Sequence, residues 1–214
     1  NASCSHAAMS STRVMGTCCS MGQAVGTAAA IAAREGLSPR QVGERRIREL
    51  QQTLLRDDAY LPWVRLEFGP LTTGARLVAS RGDPEPLRDG TNRPVGSDEH
   101  AWACRSGDWV AHEFASPTEV RQATLVLDSA LEHLLTLNHD RPVPGELFST
   151  PPTLPRALHL DGRIGGEWVR LQEVQGNYQR LVRLDVGRTV EALRLTIDET
   201  WGSETTRVFA FYLD

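Results

Sequence analysis

The stretch RVMGTCCSMGQAVGTAAAIAAREG, residues 13–36, gathers the side chains whose types and spacing bear most directly on chemistry. Cys18 and Cys19 adjoin, and small residues recur four apart at Gly22, Gly26 and Ala30. A helix with such a face lets a second backbone come close, either in a tight core or at a bound ligand. Its N-terminus would offer unpaired amides and partial positive charge to an anionic or carbonyl-rich group. On spacing alone core packing is the leading reading and ligand contact the alternative. Elsewhere the chemistry is sparse. His6, His100, His112, His133, His139 and His159 show no metal-ligand spacing, and no GxSxG nucleophile motif occurs. GRIGG at 162–166 is not spaced as a dinucleotide-binding loop, and no GxGxxG follows a strand pattern.

The elements that must position these residues fall into a helical third and a β remainder. Small apolar residues run through 20–34, with Gly36 as a left-handed C-cap. Ser38, Pro39 and Gln41 then read as N-cap, first helical residue and capping-box partner. Ile47, Leu50, Leu54 and Leu55 recur at helical period, predicting an amphipathic helix over about 44–57, with Gly43 weakening or splitting the helix before it. From about Arg65 the period changes. ARLVAS, DWVAHEFA, VRQATLVLD, RALHL, EWVRLQEV, RLVRLDV, EALRLTID and RVFAFYLD are strand candidates separated by Gly, Pro, Asp and Asn. Only 129–136 could place a helix between them, so an antiparallel sandwich is expected rather than a parallel sheet. The boundary lies near Leu61–Gly74, giving 1–62 as a helical segment, 63–74 as a packed linker and 75–214 as the sandwich.

Composition sets outer bounds. The net charge is −4, and all 23 basic residues are arginine. A weakly acidic chain without a basic cluster argues against nucleic-acid binding. No apolar run approaches the ~20 residues of a membrane span, and NASCSHAAMSS lacks the basic start and apolar core of a signal peptide. Of the cysteines, Cys18 and Cys19 would need a strained ring to pair; Cys4, Cys18, Cys19 and Cys104 are expected as free, mostly buried thiols.

Residues 3–62, with the pattern SCSHAAMSSTRVMGTCCSMGQAVGTAAAIAAREG…IRELQQTLLRDDAYLP, resemble the C-terminal end of bacterial FAD-dependent oxidoreductases of the two-dinucleotide-binding superfamily. The resemblance implies that the Gly/Ala helix points its N-terminus at the flavin. Arg13, Val14 and Met15 would then lie beside the cofactor and Thr17 and Cys18 at the helix start, while Gly22 and Gly26 would permit close packing on a nucleotide-binding sheet. His6 becomes the candidate acid, base or hydrogen-bond donor facing the ring. Because the dinucleotide motif is absent, the resemblance implies the C-terminal piece of a longer enzyme. This piece is not expected to hold FAD or to be catalytic alone. Its small-molecule substrate would be met through the missing domain.

Residues 75–214 resemble galactose-binding-like, discoidin-type jelly-roll modules, through LRDG at 87–90, Trp102, residues 108–129, NYQRLVRLDVG at 177–187 and the closing strand 207–214. The resemblance implies an antiparallel β-sandwich, accessory to the enzyme, that binds carbohydrate or another surface or serves assembly. In such modules an Asp-Gly loop can hold calcium. Asp89 and Gly90 match it, but Val208 or a neighbour stands where a Glu is expected, so an ordered turn without metal is favoured. Asp83, Glu85, Asp98 and Glu99 are near enough in sequence to compensate. Among the aromatics, Trp109 and Trp168 are expected in the core. Trp201, in DETWGSET, is expected to be the most exposed, packing at a rim or serving as a sugar platform. The Gly/Ala helix, made to be covered, is expected to find its cover in the sandwich or in a second copy of the chain.

Overall fold

The computed structural model describes residues 4–134, 145 and 147–214. His139 lies outside them. Of the possible helix at 129–136, residues 129–134 form turns and coil, and the rest is also outside the described residues. The chain divides into two compact units, Asn1–Leu66 and Glu67–Asp214.

The first unit holds four helices: α1 (His6–Thr12), α2 (Met15–Glu35), α3 (Pro39–Arg45) and α4 (Ile47–Arg56). The short α1 has no counterpart in the sequence reading, because its apolar residues are alanines around a single methionine; Ser5 nevertheless caps it, accepting from the Ala8 amide at 3.2 Å. Gly36 ends α2 at φ 65°, and Ser38 and Gln41 form the expected capping box with Pro39 at the first helical position. Gly43 lies inside α3, and the break falls at Arg46, between α3 and α4. Ile31, Val42, Leu54 and Leu55 make the buried seam. Arg46 reaches Glu35 at 2.6 Å, and Arg34 is paired with Glu49, tying α2 to α4 across solvent.

The second unit is an antiparallel β-sandwich. After α5 (Pro70–Gly74) come β1 (Arg76–Ala79), β2 (Trp102–Arg105), β3 (Trp109–Leu127), β4 (Pro155–Ile164), β5 (Glu167–Val174), β6 (Leu181–Thr200) and β7 (Thr205–Leu213). The strands order as β2-β7-β3-β6-β4-β5, with β1 pairing β3. Two pairs of sequence-predicted strands are single long strands: 108–115 with 120–128 in β3, and 180–186 with 191–198 in β6. Their pairing shifts register between Glu113/Thr118 and Val120/Gln122. Such bulges let one strand bend, which is how β3 and β6 bridge the punctuation that reads as turns in the sequence. The strand β2 was not foreseen. The core of the sandwich gathers Leu125, Leu158, Leu193, Leu195, Val208 and Phe211, each fully buried, together with Trp102 of β2.

Candidate functional site

The residues on either side of Arg13 build a groove of ≈ 430 Å³ between α1 and α2, lined by Cys4, Met9, Thr12, Arg13, Cys18, Met21, Gly22 and Val25. On α2 the spacing 18, 21, 22, 25 places four of these on one helical face. Val14 is the N-cap in an extended conformation, and no side chain caps the helix, so its first-turn amides have no side-chain acceptor. Val14 and Met15 are exposed at the helix start and Thr17 is half-buried, all three outside the groove lining. His6 opens α1, is exposed, and also lies outside that lining. A Cβ built on Gly22 or Gly26 meets nothing within 4 Å. The tight core packing that spacing favoured is therefore not made at these glycines.

The cysteines differ from expectation in burial. Cys4, Cys18 and Cys19 are free and exposed, and only Cys104 is buried. Cys4 precedes α1, and Cys18 and Cys19 lie in the N-terminal part of α2, whereas the buried residue of that helix is Ile31, near its C-terminal end.

A second cluster stands at the loops joining β5 to β6 and β6 to β7. The Trp201 indole donates to the Asn177 carbonyl at 2.7 Å. Its ring lies 4.8 Å from that of Tyr178, tilted by 32°, and the Arg156 guanidinium sits 5.1 Å from the indole centroid. Arg156 pairs with Glu199 at 3.2 Å. The Asn177 amide donates to the carbonyls of Pro155 and Gln179, fixing the loop that carries Tyr178. Trp201 itself is partly buried against the core, while Tyr178 is 69% exposed. The expectation that Trp201 would be the most exposed tryptophan is thus corrected. Trp63 is fully exposed and Trp168 is 39% exposed. Trp168 and the half-buried Trp109 are not core residues: they face Arg194, whose guanidinium is 4.1 Å from the Trp168 ring and 5.8 Å from that of Trp109. The alternation assigned them to strands correctly but does not say which face is inward. Tyr178 had no sequence signal beyond its place in NYQR.

Asp89 closes its own loop. One carboxylate oxygen accepts from the Thr91 amide at 2.7 Å, and the other is 2.6 Å from His100 Nδ1. Gly90 takes φ 86°, a conformation that suits glycine. Val208 is buried in β7 opposite Trp102. Among the described residues no three His, Cys, Asp or Glu side chains are arranged to hold a metal ion, and no helix is long and apolar enough to cross a membrane.

The α1–α2 groove lies inside the part of the chain that a known family covers. Residues 1–54 match the family model of FAD dependent oxidoreductase. The remainder is similar in fold to carbohydrate-binding modules. The family 32 module of Streptococcus pneumoniae EndoD superposes with a TM-score of 0.51 at 16% identity, over 67% of this chain and 97% of that one. The chitosan-binding module 1 of a Paenibacillus sp. chitosanase/glucanase gives 0.45 at 13% identity, over 65% and 94%. The family 32 module of C. perfringens NanJ, in complex with galactose, gives 0.47 at 6%, over 66% and 93%. At these identities the likeness is one of fold. No curated protein matches the chain.

Proposed function

We propose that residues 1–62 are the closing segment of a flavin-binding domain, and that the chain is the C-terminal part of an FAD-dependent oxidoreductase carrying the sandwich as an accessory module. The observation that carries this reading is the coincidence of the matched segment with an open groove at an uncapped helix N-terminus. The residues fit part of the cofactor. Met9, Met21 and Val25 offer an apolar wall and Gly22 leaves room beside it. Arg13 and the first amides of α2 offer positive character toward flavin carbonyls. The pyrophosphate has no cradle in this sequence, so the nucleotide half belongs to another segment. FAD, once bound, accepts or donates hydride. In this chain Arg13 and Cys18, which line the groove, would orient the ring from one side.

This chain, mixed with FAD and desalted, is expected to emerge colourless. Stoichiometric flavin absorbance would overturn the fragment reading. Coding sequence upstream of residue 1 should contain a strand–GxGxxG–helix unit, and its absence would remove the oxidoreductase assignment.

A second reading, favoured by the Trp201–Tyr178 pair, is a sugar-binding role for the sandwich. A fixed aromatic pair beside the Arg156–Glu199 donor–acceptor pair suits the C–H face and hydroxyls of a pyranose. Glycan-array binding lost on both Trp201→Ala and Tyr178→Ala supports it; signal unchanged by either substitution removes it and leaves a structural role in assembly.

A further inference from the structure

β5 is an end strand: in the described sheet it pairs with β4 alone. Between β5 and residues 186–189 of β6 opens a groove of ≈ 490 Å³ whose walls include Ile164, Val169, Leu171, Val186, Arg188 and Thr189. Ile164 and Val169 remain 40% and 45% exposed. End strands of globular proteins usually blunt this hazard with charge, shortness or cover. The eight-residue β5 carries Glu167, Arg170 and Glu173, yet also keeps Trp168 and Val169 partly exposed. The Gln172 side chain donates to the Asp185 carbonyl at 2.8 Å, joining β5 to β6 beside the groove.

Charge then selects the kind of occupant. The chain carries a net charge of −4, yet the charged side chains lining this groove are both cations, Arg170 and Arg188. Arg170 is already engaged, with Asp161 at 2.8 Å and Glu173 at 3.3 Å. The Arg188 side chain is exposed and makes no hydrogen bond or ion pair among the described residues. A guanidinium without a partner among the described residues, in a groove also lined by Ile164, Val169, Leu171 and Val186 beside an end strand, matches an extended peptide that alternates apolar and acidic side chains on one face.

We propose that the β5 edge groove is a docking site for an extended peptide segment of another protein, which adds as a strand to β5, seats apolar side chains against Val169 and Leu171, and gives a carboxylate to Arg188. This site is separate from both readings of function above, and its test does not depend on flavin or sugar.

The probe is the blocked peptide Thr-Val-Thr-Glu-Thr-Val-Thr, in which both Val and the Glu share one face when extended. Titrated into the full chain and followed by amide chemical shifts, it should perturb β5 and the Val186–Thr189 part of β6. Arg188→Glu should weaken binding at least tenfold, and replacing the peptide Glu by Lys should do the same. Arg121→Glu, an exposed arginine elsewhere, should leave affinity unchanged and serves as the folding control for charge reversal. Shifts absent from β5 at millimolar peptide, or binding indifferent to Arg188→Glu, would overturn the proposal. So would concentration-dependent dimerisation abolished by Arg188→Glu, which would give the groove to a second copy of the chain.

Discussion

His112 illustrates how one side chain can carry a pH dependence for the sandwich. It is fully buried in β3 and stacks edge-on against Phe211 at 4.6 Å. Burial pushes its pKa down to about 4, against the opposing effect of the Nε2 contact with the Phe211 carbonyl at 3.0 Å. Its Nδ1 has no partner in the described structure. A base whose folded pKa lies below its unfolded value binds fewer protons when folded, so stability rises with pH between the two values. The contribution is complete above about 6.5 and lost as pH falls toward 4, to a limit of about 3 kcal/mol. Urea unfolding at pH 7 and pH 4.5 should show His112→Leu losing less stability on acidification than the wild type. Equal losses would show that His112 does not carry the dependence. Asp161 works in the same direction. Burial raises its carboxyl pKa, but hydrogen bonds from Arg170 and Arg194 outweigh that and hold it below the ordinary value, so its contribution also fades in acid. Neither residue stands out in the sequence, because burial and partner are properties of the folded sheet.

At the scale of elements, two glycines make opposite predictions. A Cβ on Gly162 in β4 would lie 2.7 Å from Leu171 Cδ1 and 2.8 Å from Cγ1 of the buried Val190. Gly162→Ala should cost about 1–3 kcal/mol in the sandwich transition. Gly22 has open space around it, so Gly22→Ala in α2 should stabilise the helical unit by about 0.5–1 kcal/mol. Thermal melts followed by circular dichroism separate the two. A Gly22→Ala that destabilises this chain would mean that the α2 face is already covered. The helix boundaries with local signals were legible: the capping box at Ser38 and the left-handed Gly36 are written in adjacent residues. The merging of four predicted strands into β3 and β6 was not, because Ser116, Pro117 and Gly187 look like turn residues until a neighbouring strand pairs across the bulge. Strand β2 escaped for a related reason. Four residues beside Gly107 carry too few alternations to be counted without β7 alongside.

For the whole molecule, the sandwich extends further toward the N-terminus than residue 75. Thr72 is fully buried and its hydroxyl accepts from the Leu213 amide at 2.9 Å. Phe68 meets Tyr212 at 5.4 Å, and Arg88 donates to the carbonyls of Thr72 and Ala75. A polypeptide of residues 67–214 should therefore fold with a higher melting temperature than one of residues 75–214. Loss of the buried Thr72 contact alone is worth about 1–3 kcal/mol. Equal melting temperatures would return 67–74 to the role of linker. What the sequence determined by itself was local or periodic: the capped helices, the change from helical to strand period near residue 65, and the Arg13–Gly26 pattern that the family match covers. Only the tertiary structure decided which faces those elements present. It left the Gly22 face open, turned Trp168 outward, set Tyr178 beside Trp201, and left the Arg188 side chain without a partner among the described residues, in the groove beside β5. Periodicity states that an element has two sides, but the partner that covers one of them comes from residues far away in the chain.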